Sequence, residues 1–337
     1  MENYWNIFVE GYQSYGAYLW REITFQVEPF WKNYFWMLIA ISAFFFGLEL
    51  LRPWRLEQPR FRKDFWLDFF YMFFNFFLFS LIIYNASSDV VVNLFNDGIE
   101  ALTGFDLQAS NPMRNWPLWG ILLTGFVLRD FIQWWVHRLL HKSPKLWEFH
   151  KVHHSVEQMG FAAHLRYHWM ENVVYRTIEY LPLALLGIGL HDFFLIHIFT
   201  LAWGHYNHAN WHPSTHLTGA VTFGLLALLI SSTGADLAWY WDLSIALGGA
   251  GFGALVMAPY MKFLFNSPDM HIWHHSYELP EERHTGVNFG LTLAIWDYLF
   301  KTDYLPHDGR DIRLGFPGVE EFPHGFVEQN LHGLGKH

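Results

Sequence analysis

The sequence predicts an all-α integral-membrane protein with about four or more transmembrane or re-entrant helices. Three observations lead there. Hydrophobic residues make up 52% of the 337-residue chain and aromatics 20%, whereas charged residues make up only 15%, against about 25% in a soluble domain. Apolar runs of bilayer length recur along the chain. The basic residues between them fall on sides that agree with the number of crossings.

Residues 1–33 open with MENYWNIFVEGYQSYGAYLW, which has neither a basic start nor a small-residue cleavage site. The segment reads as an amphipathic helix on the bilayer surface rather than a leader, with a disordered lead-in as the bland alternative. Residues 34–136 hold the transmembrane helices. The runs 34–51 and 65–84 each suit one crossing. The linker between them carries Arg52, Arg55, Arg60, Arg62 and Lys63, which places it in the cytoplasm. Residues 86–115 are acidic, with Arg114 as their one base, and suit the opposite side. A third run, 116–136, returns the chain to the cytoplasm and delivers His137, Arg138, His141, Lys142 and Lys145 there. Arg129 and Asp130 lie inside it. They read either as a snorkelling pair or, for Asp130, as a support for His137, seven residues on along the same helical face.

Residues 173–203 are apolar but interrupted at Gly187-Ile188-Gly189. Each half is short for a crossing, so a re-entrant hairpin is expected, returning His205 and His208 to the side of His137. Residues 217–265 read as another in-and-out hairpin, turning at Ser231-Ser232-Thr233-Gly234. Residues 303–337, rich in Gly, Pro and acids, read as a cytoplasmic tail. With no internal repeat and no linker, residues 1–337 read as a single domain whose residues 137–302 form a cytoplasmic helical cap.

Composition also excludes several functions. A net charge of −10 argues against nucleic acid as a partner. The absence of cysteine excludes disulfides, thiolate zinc sites, iron–sulfur clusters and cysteine-ligated haem.

Histidine stands out, at 21 residues. It clusters as His137-x-x-x-His141, His150-x-x-His153-His154 and His271-x-x-His274-His275. Residues three or four apart share a helix face, so each box presents neighbouring imidazoles. Several neutral imidazoles converging on one point are what a transition metal requires. Chance would give H-x-x-H-H about 0.08 times in such a chain by template counting, and it occurs twice. A single box could be a surface coincidence; three together indicate a metal site in the cap.

The chain resembles the fatty acid hydroxylase and sterol desaturase superfamily. Asp130-Phe131 and Trp134 precede the first box as in that family. HKVHHSVEQM is followed by Arg166, His168 and Glu171 in the family's R-x-H-x-x-E pattern, and His208-Ala209-Asn210 fits its H-[AS]-N element. SPDMHIWHH leads on to Val287-Asn288-Phe289-Gly290 and to Trp296-Asp297-Tyr298-Leu299-Phe300-Lys301-Thr302. Two departures stand out. The interval from Asn210 to His271 is lengthened by the apolar stretch 217–265, and Lys301 replaces a usual glycine.

The resemblance implies a histidine-ligated di-metal centre holding two iron ions, with O2 as co-substrate. Zinc would be expected at times in purified or crystallised protein. Carried over by position, the ligands are His137, His141, His150, His153, His154, His271, His274 and His275, completed by His168 and His208. Asp130, Glu171, Asn288 and Asp297 would fix imidazole tautomers. His205, one turn before His208, reads as a supporting partner or as a polar helix end. His284, His191, His197, His212 and His216 belong to no box. The implied activity is hydroxylation or desaturation of a lipid C–H bond. With no dinucleotide fingerprint and no fused electron carrier, electrons would come from an external ferredoxin, cytochrome or reductase. A histidine-rich metal transporter is the alternative; it would favour ligands inside the membrane and gives the W-D-Y-L-F-K-T ending no role. A zinc hydrolase would need fewer histidines and a carboxylate base.

Overall fold

A computed structural model describes residues 2–79, 85–106, 113, 115–186, 190–234 and 237–335. The described residues are helical or irregular, with only isolated bridges such as Phe265–Leu293. The amphipathic α1 (Glu2–Ile23) packs against the following helices. Its buried Glu22 accepts from the Tyr34 amide at 2.6 Å and from Tyr18 Oη at 2.8 Å, fixing the entry to α2 (Tyr34–Leu51). Asn33 caps α2 by accepting from the Trp36 amide, the usual role of asparagine at that position. α3 (Phe65–Phe73) runs into a π-helical turn, Phe74–Leu78. The end of the crossing expected at 65–84 lies outside the described residues. α4 (Asn85–Thr103) packs on α1, where Tyr4 Oη donates to Asp97 at 2.7 Å.

α5 (Leu118–Lys142) and α6 (Pro144–His154) are joined through Ser143. Its hydroxyl accepts from the Leu146 amide, and Pro144 supplies the preset φ favoured in a first turn. α7 (Trp169–Leu185) and α8 (Leu190–His208) flank α5. They occupy the hairpin expected at 173–203, whose Gly187-Ile188-Gly189 break lies outside the described residues. α9 (Thr215–Gly234) and α10 (Trp239–Phe252) follow, then the short α11 (Met261–Leu264), α12 (Pro268–His274), α13 (Ile295–Phe300) and α14 (Phe326–Leu331).

Three helical stretches among the described residues are long and apolar enough to cross a bilayer: Tyr34–Leu51, Thr215–Gly234 and Trp239–Leu264. Two expectations change. The run 116–136 is not among them, because α5 spends one face on the buried polar residues Arg129, Asp130 and Gln133. The stretch 217–265 does form two apolar helices packed on each other, α9 and α10, but positions 231–234 continue α9 and are not the turn. There Ser231 and Thr233 hydroxyls donate to the Leu228 and Leu229 carbonyls at 3.2 and 2.6 Å, which satisfies them inside a helix. α9 and the residue that caps α10 approach closely at Gly219 and Gly253, where a Cβ on either would overlap the other's carbonyl; only glycine fits. No residue of α10 is buried.

Lys301, at the position where a glycine is usual, ends α13 with φ 57° and ψ 39°. That left-handed conformation costs a side-chain-bearing residue about 1 kcal/mol. Lys301→Gly is expected to raise stability by about 0.5–1 kcal/mol, read as a higher midpoint of thermal unfolding in detergent.

Candidate metal centre

The boxes converge because their helices end at one place. α5 delivers His137 and His141; α6 delivers His150, His153 and His154; α12 and its cap deliver His271, His274 and His275. The last turn of α8 adds His208. Nine histidines form two adjoining groups, His137, His141, His150, His154 and His274 in one and His153, His208, His271 and His275 in the other. Within each group the potential ligand atoms lie within 4.8 Å of one another. His154 and His275 stack between the groups with ring centroids 4.4 Å apart.

The closest approaches are between Nε2 atoms. His154 and His274 are 3.1 Å apart, His208 and His271 3.0 Å, His271 and His275 3.2 Å, and His153 and His208 3.4 Å. Nitrogens about 2.1 Å from a shared ion would be separated by roughly 3.0–3.4 Å in octahedral or tetrahedral geometry. His141 Nε2 and His150 Nε2 are buried without a hydrogen-bond partner, which is costly for a polar atom unless a ligand satisfies it. The donor set therefore fits two metal ions.

Five rings are held so that Nε2 carries the lone pair. Nδ1–H donates from His137 to the Phe289 carbonyl at 2.8 Å, from His274 to Val287 at 2.7 Å, from His153 to Arg166 at 3.1 Å and from His208 to Gly204 at 2.8 Å. His150 Nδ1 donates to the Glu171 carboxylate at 2.9 Å. Such partners set tautomer and orientation. Asn288, at φ 53°, sits between two of the accepting carbonyls. Its amide nitrogen donates to the Met270 and Tyr304 carbonyls at 2.8 and 2.7 Å. Asp297 accepts from the Phe289 and Gly290 amides, Trp134 Nε1 and Thr302 Oγ1. Asp130 faces the same way as His137 but does not reach it. It accepts from the Thr292 and Leu293 amides and from Trp296 Nε1, bracing the loop that presents the Phe289 carbonyl.

Burial, and then the neighbouring imidazoles, hold His150, His154, His271, His274 and His275 well below the usual histidine pKa. Burial brings His208 down to about 3. These rings stay neutral, as ligands must. The unfolded chain takes up protons near pH 6.5 that the folded chain refuses. Stability should therefore be intact above about pH 6.5 and fall progressively towards pH 3–4, with metal release over the same window. Thermal unfolding and bound-metal measurements across pH 7.5–4 would check this.

Other expected residues fall elsewhere. His168 stands apart from both groups: its Nε2 donates to the Asn330 carbonyl at 2.7 Å and its Nδ1 accepts from the Met170 amide at 3.1 Å, so both nitrogens are engaged away from the cluster. His205 does not touch His208 through a hydrogen bond; it contacts Ser42 Oγ at 3.0 Å and His164 Nδ1 at 3.1 Å. His164, absent from the boxes, reaches the cluster, its ring centroid 5.3 Å from that of His208. The 3-10 turn Phe161–Leu165 turns it inward; H-x-x-x-H spacing to His168 was the available signal. His197 meets Arg129 at 2.9 Å, and His212 lies 3.4 Å from Asp269. His216 donates to the Ala254 carbonyl. His284 is exposed and donates to Glu281. The side chain of His191 lies outside the described residues.

A cavity of about 110 Å³ opens beside the rings, bounded by His137, His150, His153 and His208 and by residues of α5, α7 and α8. Apolar Leu165, Leu201 and Leu291 share its wall.

Residues 122–227 match the family model for fatty acid hydroxylase, which takes in the first two boxes and His208. An ornithine lipid hydroxylase of Rhizobium tropici is 27% identical over 216 residues, 64% of this chain and 50% of the relative. Over this stretch the chain is similar to the fatty acid hydroxylase family. A very-long-chain aldehyde decarbonylase of Oryza sativa subsp. japonica is 39% identical over 54 residues, 16% of this chain and 18% of the relative. The chain thus spans half the length of the first of these relatives and less of the second. No solved structure matches. The superfamily's box pattern accounts for the two histidine groups; its R-x-H-x-x-E element divides, with Glu171 on a ring and His168 away from them.

Proposed function

We propose that this protein is a membrane-bound di-iron oxygenase that hydroxylates or desaturates a C–H bond of a lipid. The observation that carries this reading is the pair of adjoining all-imidazole groups opening on one cavity. For hydroxylation, one oxygen atom of O2 enters the C–H bond and the other leaves as water. Two electrons and two protons balance the reaction, the electrons coming from an external ferredoxin, cytochrome or reductase. Two irons held by the two groups would supply the redox chemistry towards O2. His137, His141, His150, His154 and His274 would hold one, and His153, His208, His271 and His275 the other.

The chain's own part is positional. Backbone carbonyls and Glu171 keep five rings in the ligating tautomer, and burial keeps protons off them. Leu165, Leu201 and Leu291 would give an acyl, sterol or related chain an apolar side of the cavity to lie against. A cytoplasmic position for the ring cluster is supported by the basic linker at 52–63, whose Arg55 amide donates to Asn210 Oδ1 at 2.7 Å, two residues after His208.

Comparative lipid mass spectrometry of cells with and without the protein tests the reading. A lipid heavier by one oxygen or lighter by two hydrogens is expected only when the protein is present. An unchanged lipidome under oxygen, with a reductant system supplied, would overturn it.

A further inference from the structure

The cavity beside the rings has a polar wall that metal binding does not use. Three helices turn periodic stripes towards it. On α5, Arg129, Gln133 and His137 are four residues apart; on α7, Glu171, Tyr175 and Glu179 repeat at the same interval. On α8, Thr200 and Asn207 lie seven apart, two turns along one face. Arg129 is buried and occupied: it pairs with Glu179, donates to Thr200 Oγ1 and meets His197. That leaves the two amides.

Gln133 is 7% exposed and Asn207 3%. Gln133 Nε2 donates to Glu179 Oε1 at 3.2 Å, and Asn207 Nδ2 donates to the Leu291 carbonyl at 2.7 Å. Those bonds fix which end of each amide faces its neighbour. The remaining atoms, Gln133 Oε1 and Asn207 Oδ1, are buried without a partner, and both residues line the cavity. An unpaired amide oxygen in a dry wall accepts a hydrogen bond and repels another acceptor. Gln133 is one helical turn, about 6 Å, from His137, and Asn207 immediately precedes His208.

We infer that Gln133 and Asn207 form an acceptor subsite for an O–H or N–H group of the lipid, held about one helical turn from the metal-binding rings. The substrate class is then a lipid oxidised a few bonds from a hydroxyl, amide or amine, rather than one oxidised in the middle of a plain hydrocarbon chain. This rests on reading the site as lipid-oxidising. Gln133 and Asn207 act as specificity-determining residues and take no part in bond breaking.

The test uses the full chain, loaded with redox-inert zinc and held in nanodiscs. Binding of 1-hexadecanol, hexadecylamine and hexadecyl methyl ether is measured by native mass spectrometry. The alcohol and the amine should bind about tenfold tighter than the ether, the span of one well-made hydrogen bond. Gln133→Leu should reduce that ratio towards one, and Asn207→Leu should do the same independently. Preference for alcohol over amine, or the reverse, distinguishes a hydroxyl from a nitrogen headgroup. Equal binding of all three probes by the wild-type chain overturns the inference, as does a ratio that survives both leucine variants. A lipidome unchanged by the protein, with discrimination intact, would instead overturn the oxygenase reading alone.

Discussion

His153→Ala is expected to abolish lipid oxidation and to lower bound iron from about two ions per chain to about one, while the protein still inserts in the membrane. His153 belongs to the four-histidine group, where it has one neighbour at 3.4 Å through Nε2 and one fixing bond through Nδ1. Removing a quarter of that donor set should weaken metal binding by more than about 100-fold, since even loss of a ligand's hydrogen-bond partner costs 10–100-fold. The folding cost is smaller, about 1–3 kcal/mol, from one orphaned carbonyl and a small void. Anaerobic iron loading followed by metal analysis separates the two effects. A wild-type chain that takes up one ion or none would refute a dinuclear site, and a variant that still turns over lipid would remove His153 from it.

The second large effect is expected away from any ring. Asp297→Ala strips the acceptor from four buried donors: Trp134 Nε1 at 2.9 Å, the Phe289 and Gly290 amides at 2.9 and 2.8 Å, and Thr302 Oγ1 at 2.6 Å. Each unsatisfied donor costs about 1–3 kcal/mol, moderated by relaxation, so a loss of about 3–5 kcal/mol is expected. The Phe289 carbonyl that orients His137 lies on the same peptide stretch. Metal affinity should therefore fall with stability, whereas Asp297→Asn, which keeps one oxygen, should recover part of both. Thermal unfolding and metal titration of the two variants check this. Full metal affinity in the alanine variant would show that the loop holds its shape without the carboxylate.

The ring cluster was legible in the sequence because i, i+3 and i+4 spacing converts directly into a shared helix face. The identity of its neighbours was less so. His168 matched a pattern, yet it follows a 3-10 turn and an extended residue, so helical spacing did not govern where it points. His164, on that turn, took the inward direction. Asp130 was placed on the correct face, but spacing along one helix says nothing of the loop that comes to meet it from 162 residues away. Within 217–265 the paired helices follow the apolar pattern, but the turn falls later than residues 231–234. Hydroxyl residues at 231–233 look like a turn, but their donation to carbonyls one turn back lets them continue a helix. Gln133 and Asn207 carried no signal in the sequence, because their place in one cavity wall depends on helices that meet only in the fold.

The segment from Val287 to Phe289 reaches both ends of the first histidine group. One carbonyl holds His274, the next but one holds His137, and Asn288 between them is pinned by bonds to residues 270 and 304. A ring from α5 and a ring from α12 thus hang from a single yoke. The yoke couples the two rings, because any shift of these three residues moves the acceptors of His137 and His274 together.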